Sequence, residues 1–137
     1  MLSHTECEEM LSRCLIGRIG LLSAGAPLIL PVIFAYSQGA VVFRTAPGEK
    51  LDAVWVNALA AFEIDDWDAV TETGWSVLVR GRTESVHDES EVARLESLGL
   101  PSWVPALKPT TWVCIRPLEI TGRRIGTFIW SRGSGQR

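Results

Sequence analysis

At 137 residues, with 47% apolar and 21% charged side chains, the chain can bury one substantial core and is composed like an ordinary globular domain. A net charge of −3 without any Lys/Arg run argues against a general nucleic-acid surface. No apolar run is long enough to span a bilayer, and the acidic start MLSHTECEEML lacks the basic and apolar regions of a signal peptide. Three cysteines, Cys7, Cys14 and Cys114, do not make a disulfide framework, so the expected location is the cytoplasm, with reduced thiols; no membrane or nucleic-acid partner is expected. Six tryptophans are many for this length, and some of them are expected at a subunit interface or a ligand pocket.

The first predicted element is a helix. Thr5 and Glu8 fit a capping box, Cys7, Met10, Leu11, Cys14 and Leu15 recur at helical spacing, and Gly17 is the expected stop. The runs RIGLLSA and PLILPVIFAYS, parted by Gly25-Ala26, predict a hairpin. The second run is apolar on both faces, which predicts a central strand. A turn at Gln38-Gly39 leads into a third strand, AVVFRT.

After that strand comes a corner, TAPGEK, and a short helix predicted to put Leu51, Val54, Trp55 and Ala58 on one face. LAAFEID is the fourth strand, DWDAVTETG a polar loop, and GWSVLVRGRTESV a long fifth strand. On the fifth strand Trp75, Val77 and Val79 share one face, and Ser76, Leu78, Arg80 and Arg82 the other. Asp88 and Glu91 cap a second helix that Gly99 and Pro101 end, and TTWVCIRPLEITG is the sixth strand. Six strands with hairpin connections predict a mainly β fold, an antiparallel barrel with short flanking helices, in one domain over residues 1–130, followed by a flexible tail over 131–137.

The corner gathers the groups an anion needs. A helix N-terminus offers unpaired N–H groups, and Gly48 lets the backbone approach. Arg44 supplies a planar fork, Thr45 a hydroxyl and Lys50 a point charge, which together suit a phosphate monoester. Taken alone, such a corner is more often a solvated surface turn, and TAPGEK lacks the glycine spacing of a P-loop.

LPVIF, FRTAPGEKL, FEIDD and GWSVLVRGR, in that order from about Glu6 to about Arg123, resemble the pyridoxamine 5'-phosphate oxidase-like, FMN-binding split-barrel family. The resemblance implies a six-stranded split barrel that forms a homodimer with two flavin sites between its subunits. It implies that Arg44, Thr45 and Lys50 grip the FMN phosphate, and that the backbone of Pro31, Val32 and Ile33 lines the polar edge of the isoalloxazine. It also implies that Trp75 and Ser76 reach the same flavin from the partner subunit. The Arg/Trp/His-rich C-terminal signature of the true oxidase is missing from RRIGTFIWSRGSGQR, so pyridoxamine phosphate oxidation is not expected. Among short relatives, FMN-dependent reductases, reductases using 8-hydroxy-5-deazaflavin and haem-associated proteins all occur, and the small-molecule substrate stays open.

Other constellations weigh less. His4, Cys7 and Cys14 lack the spacing and fourth ligand of a structural zinc site, and the cysteines read better as small buried hydrophobes. His87 reads as a satisfied or solvated side chain. Glu63, Asp65, Asp66 and Asp68 read as a solvated cluster in which Glu63, inside an apolar strand, pairs with a basic residue. No nucleophile–histidine set assembles, so no side chain is assigned as catalytic, and any redox chemistry falls to the cofactor.

Overall fold

A computed structural model describes residues 1–46, 55–102 and 110–126. Six antiparallel strands, β1 (Ile16–Ser23), β2 (Ala26–Ser37), β3 (Ala40–Thr45), β4 (Leu59–Asp68), β5 (Thr73–Val86) and β6 (Thr111–Gly126), close a barrel in the order β1-β2-β3-β6-β5-β4. Two helices, α1 (His4–Arg13) and α2 (Glu89–Glu96), pack outside it. The expected split-barrel architecture is therefore present. The tail over 131–137 lies outside the described residues.

Inward-facing side chains alternate along every strand, and Phe34, Phe43, Phe62, Ile19, Ile64, Val77, Val79, Val113 and Ile115 are all almost fully buried. Phe34 and Phe62 meet edge to face at 4.7 Å, and Trp55 closes the core against Phe43 at 5.4 Å. The β1–β4 seam that closes the barrel has three pairs, Arg18↔Glu63, Ile19↔Phe62 and Gly20↔Ala61. At Gly17 a Cβ would lie 2.2 Å from the Phe62 ring. That glycine therefore sits inside β1 and makes room for Phe62, whereas a helix stop had been expected there.

Helix α1 is capped by Ser3, with a reciprocal box to Glu6, and not by Thr5 and Glu8. Both pairs have the right spacing. Leu2 decides between them, because its buried side chain and its N–H bond to the Gly122 carbonyl (2.9 Å) fix where the chain enters the helix. The helix ends at Arg13, and Cys14 is already extended. Its buried face, Cys7 and Leu11, covers the barrel end, and Tyr36 donates to Glu8 at 2.7 Å. Asp88 caps α2 as expected, accepting from the Glu91 N–H at 3.0 Å.

Two-residue turns at Ala24-Gly25 and Gln38-Gly39 have both residues at positive φ, the geometry that matches the twist of hairpin strands. Three further expectations change. First, the polar loop after β4 is mostly ladder: Asp66, Trp67 and Asp68 pair with Trp75, Gly74 and Thr73. The turn itself is shorter, held by Asp68 Oδ1 accepting from the N–H groups of Val70 and Thr71. This ribbon runs past the barrel end, where neither face is buried, so no apolar alternation marks it as strand.

Second, β2 is only partly central. It pairs with β1 over Ala26–Ile33 and with β3 only over Phe34–Ser37, and Ile29 is 69% exposed. Third, residues 51–54 of the predicted corner helix lie outside the described residues, and Ala58 is not helical. The chain turns at Asn57 (φ 51), whose N–H bonds the Thr83 carbonyl at 2.8 Å.

At Gly81 a Cβ would stand 2.2 Å from the Arg116 carbonyl oxygen, next to the irregularity in the β5–β6 ladder. Backbone cannot yield as a side chain can. Gly81→Ala is expected to cost about 1–3 kcal/mol, read as a lower urea midpoint; an unchanged midpoint would mean that the strands separate there freely.

Candidate functional site

The ladder between β2 and β3 stops at Phe34↔Phe43. One more step in the same register would set Ile33 against Arg44, and a second Val32 against Thr45. The strands part there instead, so the backbone edge of Pro31, Val32 and Ile33 opens beside the C-terminal end of β3. Pro31 is exposed, Ile33 half-buried and Val32 buried.

Arg44 and Thr45 are neighbours on a strand and face opposite sides of the sheet. Thr45, on the barrel side at the rim, donates to the Thr111 carbonyl at 3.4 Å. Arg44 faces α2, where its Nη1 lies 3.5 Å from Glu96, its Nη2 donates to the Leu100 carbonyl, and its guanidinium lies 5.1 Å from the Trp112 ring centre. Glu96 also accepts from Trp112 Nε1 at 2.7 Å. One donor is left over: Arg44 Nε is buried and has no acceptor among the described residues. A buried N–H without a partner costs about 1–3 kcal/mol. Lys50 lies outside the described residues.

Trp75 and Ser76 are not on this rim. They sit on the β4–β5 ribbon, opposite Asp66 and Asp65 on β4 and Arg124 and Arg123 on β6. Thr45 pairs with β6 at Thr111, twelve residues along that strand from the partner of Ser76 and thirteen from that of Trp75. Trp75 lines a 420 Å³ groove with Asp66, Asp68, Arg124 and Ile125, and a 450 Å³ groove with Glu63, Trp67, Ser76 and Arg123. Trp67 is half exposed beside it, so two of the tryptophans do stand at open grooves; Trp55 and Trp112 are buried.

Sequence reasoning paired Glu63 with a basic residue, and Arg18 Nη1 lies 3.9 Å from both Glu63 and Asp65. Burial, then the hydrogen bond and charge of Asp65, push the Glu63 carboxyl up to about 7 against the opposing pull of Arg18. Glu96 escaped notice beforehand. A glutamate on a short amphipathic helix carries no local signal, and only the packing of α2 brings it to Arg44. Cys7 and Cys114 are buried and Cys14 is half-buried, and burial raises all three thiols.

A six-stranded antiparallel barrel whose second and third strands part beyond Phe34 and Phe43 is a split barrel. The pyridoxamine 5'-phosphate oxidase family model matches residues 3–124, and the chain belongs to that family. It is 36% identical over 129 residues to an uncharacterized protein of Mycobacterium tuberculosis (90% of this chain, 84% of the relative). Among solved structures it is similar to an FAD-binding protein from Mycobacterium smegmatis, with 40% identity, TM-score 0.77, and coverage of 90% of this chain and 98% of that one. A protein of unknown function from Corynebacterium diphtheriae matches at 32% identity and TM-score 0.73 over 91% of this chain and 95% of that chain.

Proposed function

We propose that the chain binds a flavin, FMN in the first instance, at a site completed by a second copy, and serves as an oxidoreductase toward a small molecule. The observation that carries this reading is the buried Nε–H of Arg44, without an acceptor among the described residues, at the rim where β2 and β3 part. A phosphate oxygen is the acceptor such a donor suits, and charge assistance makes that bond strong. Lys50 would hold the same anion, Thr45 would meet it from the other face of the strand end, and the open backbone of Pro31, Val32 and Ile33 would meet the ring's polar edge. The FAD-binding relative at 40% identity supports the ligand class.

Thr45 at the end of β3 and Trp75 and Ser76 on β5 do not adjoin within one protomer. A homodimer resolves this, with Trp75 and Ser76 supplied across the seam. When bound, the flavin would supply two-electron transfer, while the chain's own part is to anchor the phosphate, orient the ring and exclude water. The absorbance spectrum of the purified protein tests the reading. Bands near 370 and 450 nm, with FMN or FAD released on denaturation and identified by chromatography, are the expected result. A colourless protein whose spectrum FMN, FAD and a deazaflavin all leave unchanged would overturn it. Bleaching by a reduced nicotinamide, followed by turnover on a quinone, would separate an enzyme from a flavin carrier.

A further inference from the structure

Helix α2 ends against Arg44. Leu95 is fully buried in a small second core with Val42, Trp112 and Cys114, and that packing sets the next residue, Glu96, beside the end of β3. Glu96 is the last residue of the helix. The C-terminal carbonyls there already carry a partial negative charge, so a carboxylate gains nothing from the helix itself. Both of its oxygens are nevertheless fixed: Oε1 accepts from Trp112 Nε1 at 2.7 Å, and Oε2 lies 3.5 Å from Arg44 Nη1.

Arg44 is therefore met on the α2 side by a full negative charge, by the Leu100 carbonyl at Nη2 and by the face of the Trp112 ring. Its side chain is 18% exposed and that of Glu96 50%, so water screens the pair only in part. These contacts engage the Nη end and the flat face of the guanidinium. The Nε–H is the donor they leave, buried and without an acceptor among the described residues. An anion that reaches Arg44 thus meets an arginine already oriented, with its charge already partly balanced.

We propose that Glu96 sets the strength and the charge selectivity of this rim, orienting Arg44 so that its Nε–H faces the anion while opposing that anion with a charge of its own. The inference rests on the flavin reading for the phosphate that meets Arg44. Glu96 is a positioning residue, because it acts through Arg44. Its two effects separate physically. Orientation is shared with the Leu100 carbonyl and the Trp112 ring, which remain when Glu96 is neutralised, whereas the opposing charge belongs to Glu96 alone. The charge therefore decides the sign. Its cost grows with the charge of the ligand: largest for a dianionic phosphate monoester, smaller for a singly charged phosphodiester, and absent for an uncharged ribityl chain.

Fluorescence quenching of flavins titrated into the full chain tests this, with FMN, the cyclic phosphodiester of riboflavin, and riboflavin as the probes. Glu96→Gln, which keeps an acceptor for Trp112 Nε1, is expected to tighten FMN roughly tenfold, the cyclic phosphodiester by less, and riboflavin by under about twofold. Glu96→Ala, which also drops the Trp112 bond, is expected to give the same order and serves if the glutamine variant folds poorly. Glu96→Asp keeps the charge and is expected to keep the FMN-to-riboflavin ratio near that of the unmodified chain. A purely structural role would loosen α2 and move all the probes together.

Equal shifts for the probes, weaker FMN binding in the glutamine variant, or an aspartate variant that behaves like glutamine would each overturn the proposal. Arg44→Ala, titrated alongside, separates this inference from the reading beneath it. If that variant leaves the FMN-to-riboflavin ratio unchanged, the rim does not hold the phosphate and both fall. If it lowers the ratio while Glu96→Gln does not raise it, only the role of Glu96 falls.

Discussion

Replacing Arg44 and Lys50 together by alanine is expected to weaken FMN binding by roughly two to four orders of magnitude while changing riboflavin binding only a few-fold. Charge-assisted hydrogen bonds are worth about 1.5–3 kcal/mol each, and about 1.4 kcal/mol is a factor of ten. Riboflavin has the same ring and no phosphate, so it isolates the anion. The control matters because Arg44 has a structural post as well, between Glu96, the Leu100 carbonyl and the Trp112 ring. Losing that post loosens α2, which would weaken both ligands alike. Fluorescence quenching of FMN and riboflavin titrated into the variant separates the cases, and equal losses would mean that the rim does not face the phosphate.

Phe62→Ala is expected to cost about 3–5 kcal/mol of folding stability. The Phe62 ring is fully buried, stands edge to face on Phe34 at 4.7 Å, and fills the space that Gly17 leaves. It also sits in the shortest ladder of the barrel, the seam that three residue pairs close between β1 and β4. Removing it leaves a cavity where the sheet has the fewest hydrogen bonds with which to hold its shape. Urea unfolding followed by tryptophan fluorescence gives the value. A loss below about 1 kcal/mol would mean that the seam collapses onto the vacancy without strain.

Much of the barrel was legible because its signals are local. Period-two alternation in GWSVLVRGRTESV separates Val77 and Val79, fully buried, from exposed Arg80 and Arg82. Gly25 and Gly39 mark tight turns because they adopt positive φ without a Cβ penalty. What failed were choices between local options of equal merit. Ser3–Glu6 and Thr5–Glu8 are equally good boxes, and the docking of Leu2 chose the first. Asp66–Asp68 looked like loop because a strand exposed on both faces need not alternate.

By itself the sequence determined the strand count, the inward-facing residues, the rim residues Arg44 and Thr45, and family membership, since each rests on neighbours in the chain or on motif order. Only the tertiary structure decided what those residues meet. It turned Arg44 toward α2 and gave Glu96 a role, parted β2 from β3 just short of Ile33, and set Trp75 far along β6 from Thr45. It also gathered Arg18 and Glu63, forty-five positions apart, into one row on an apolar face. The reason is that barrel closure fixes register between strands distant in sequence, and no local pattern encodes which side chains that register brings together.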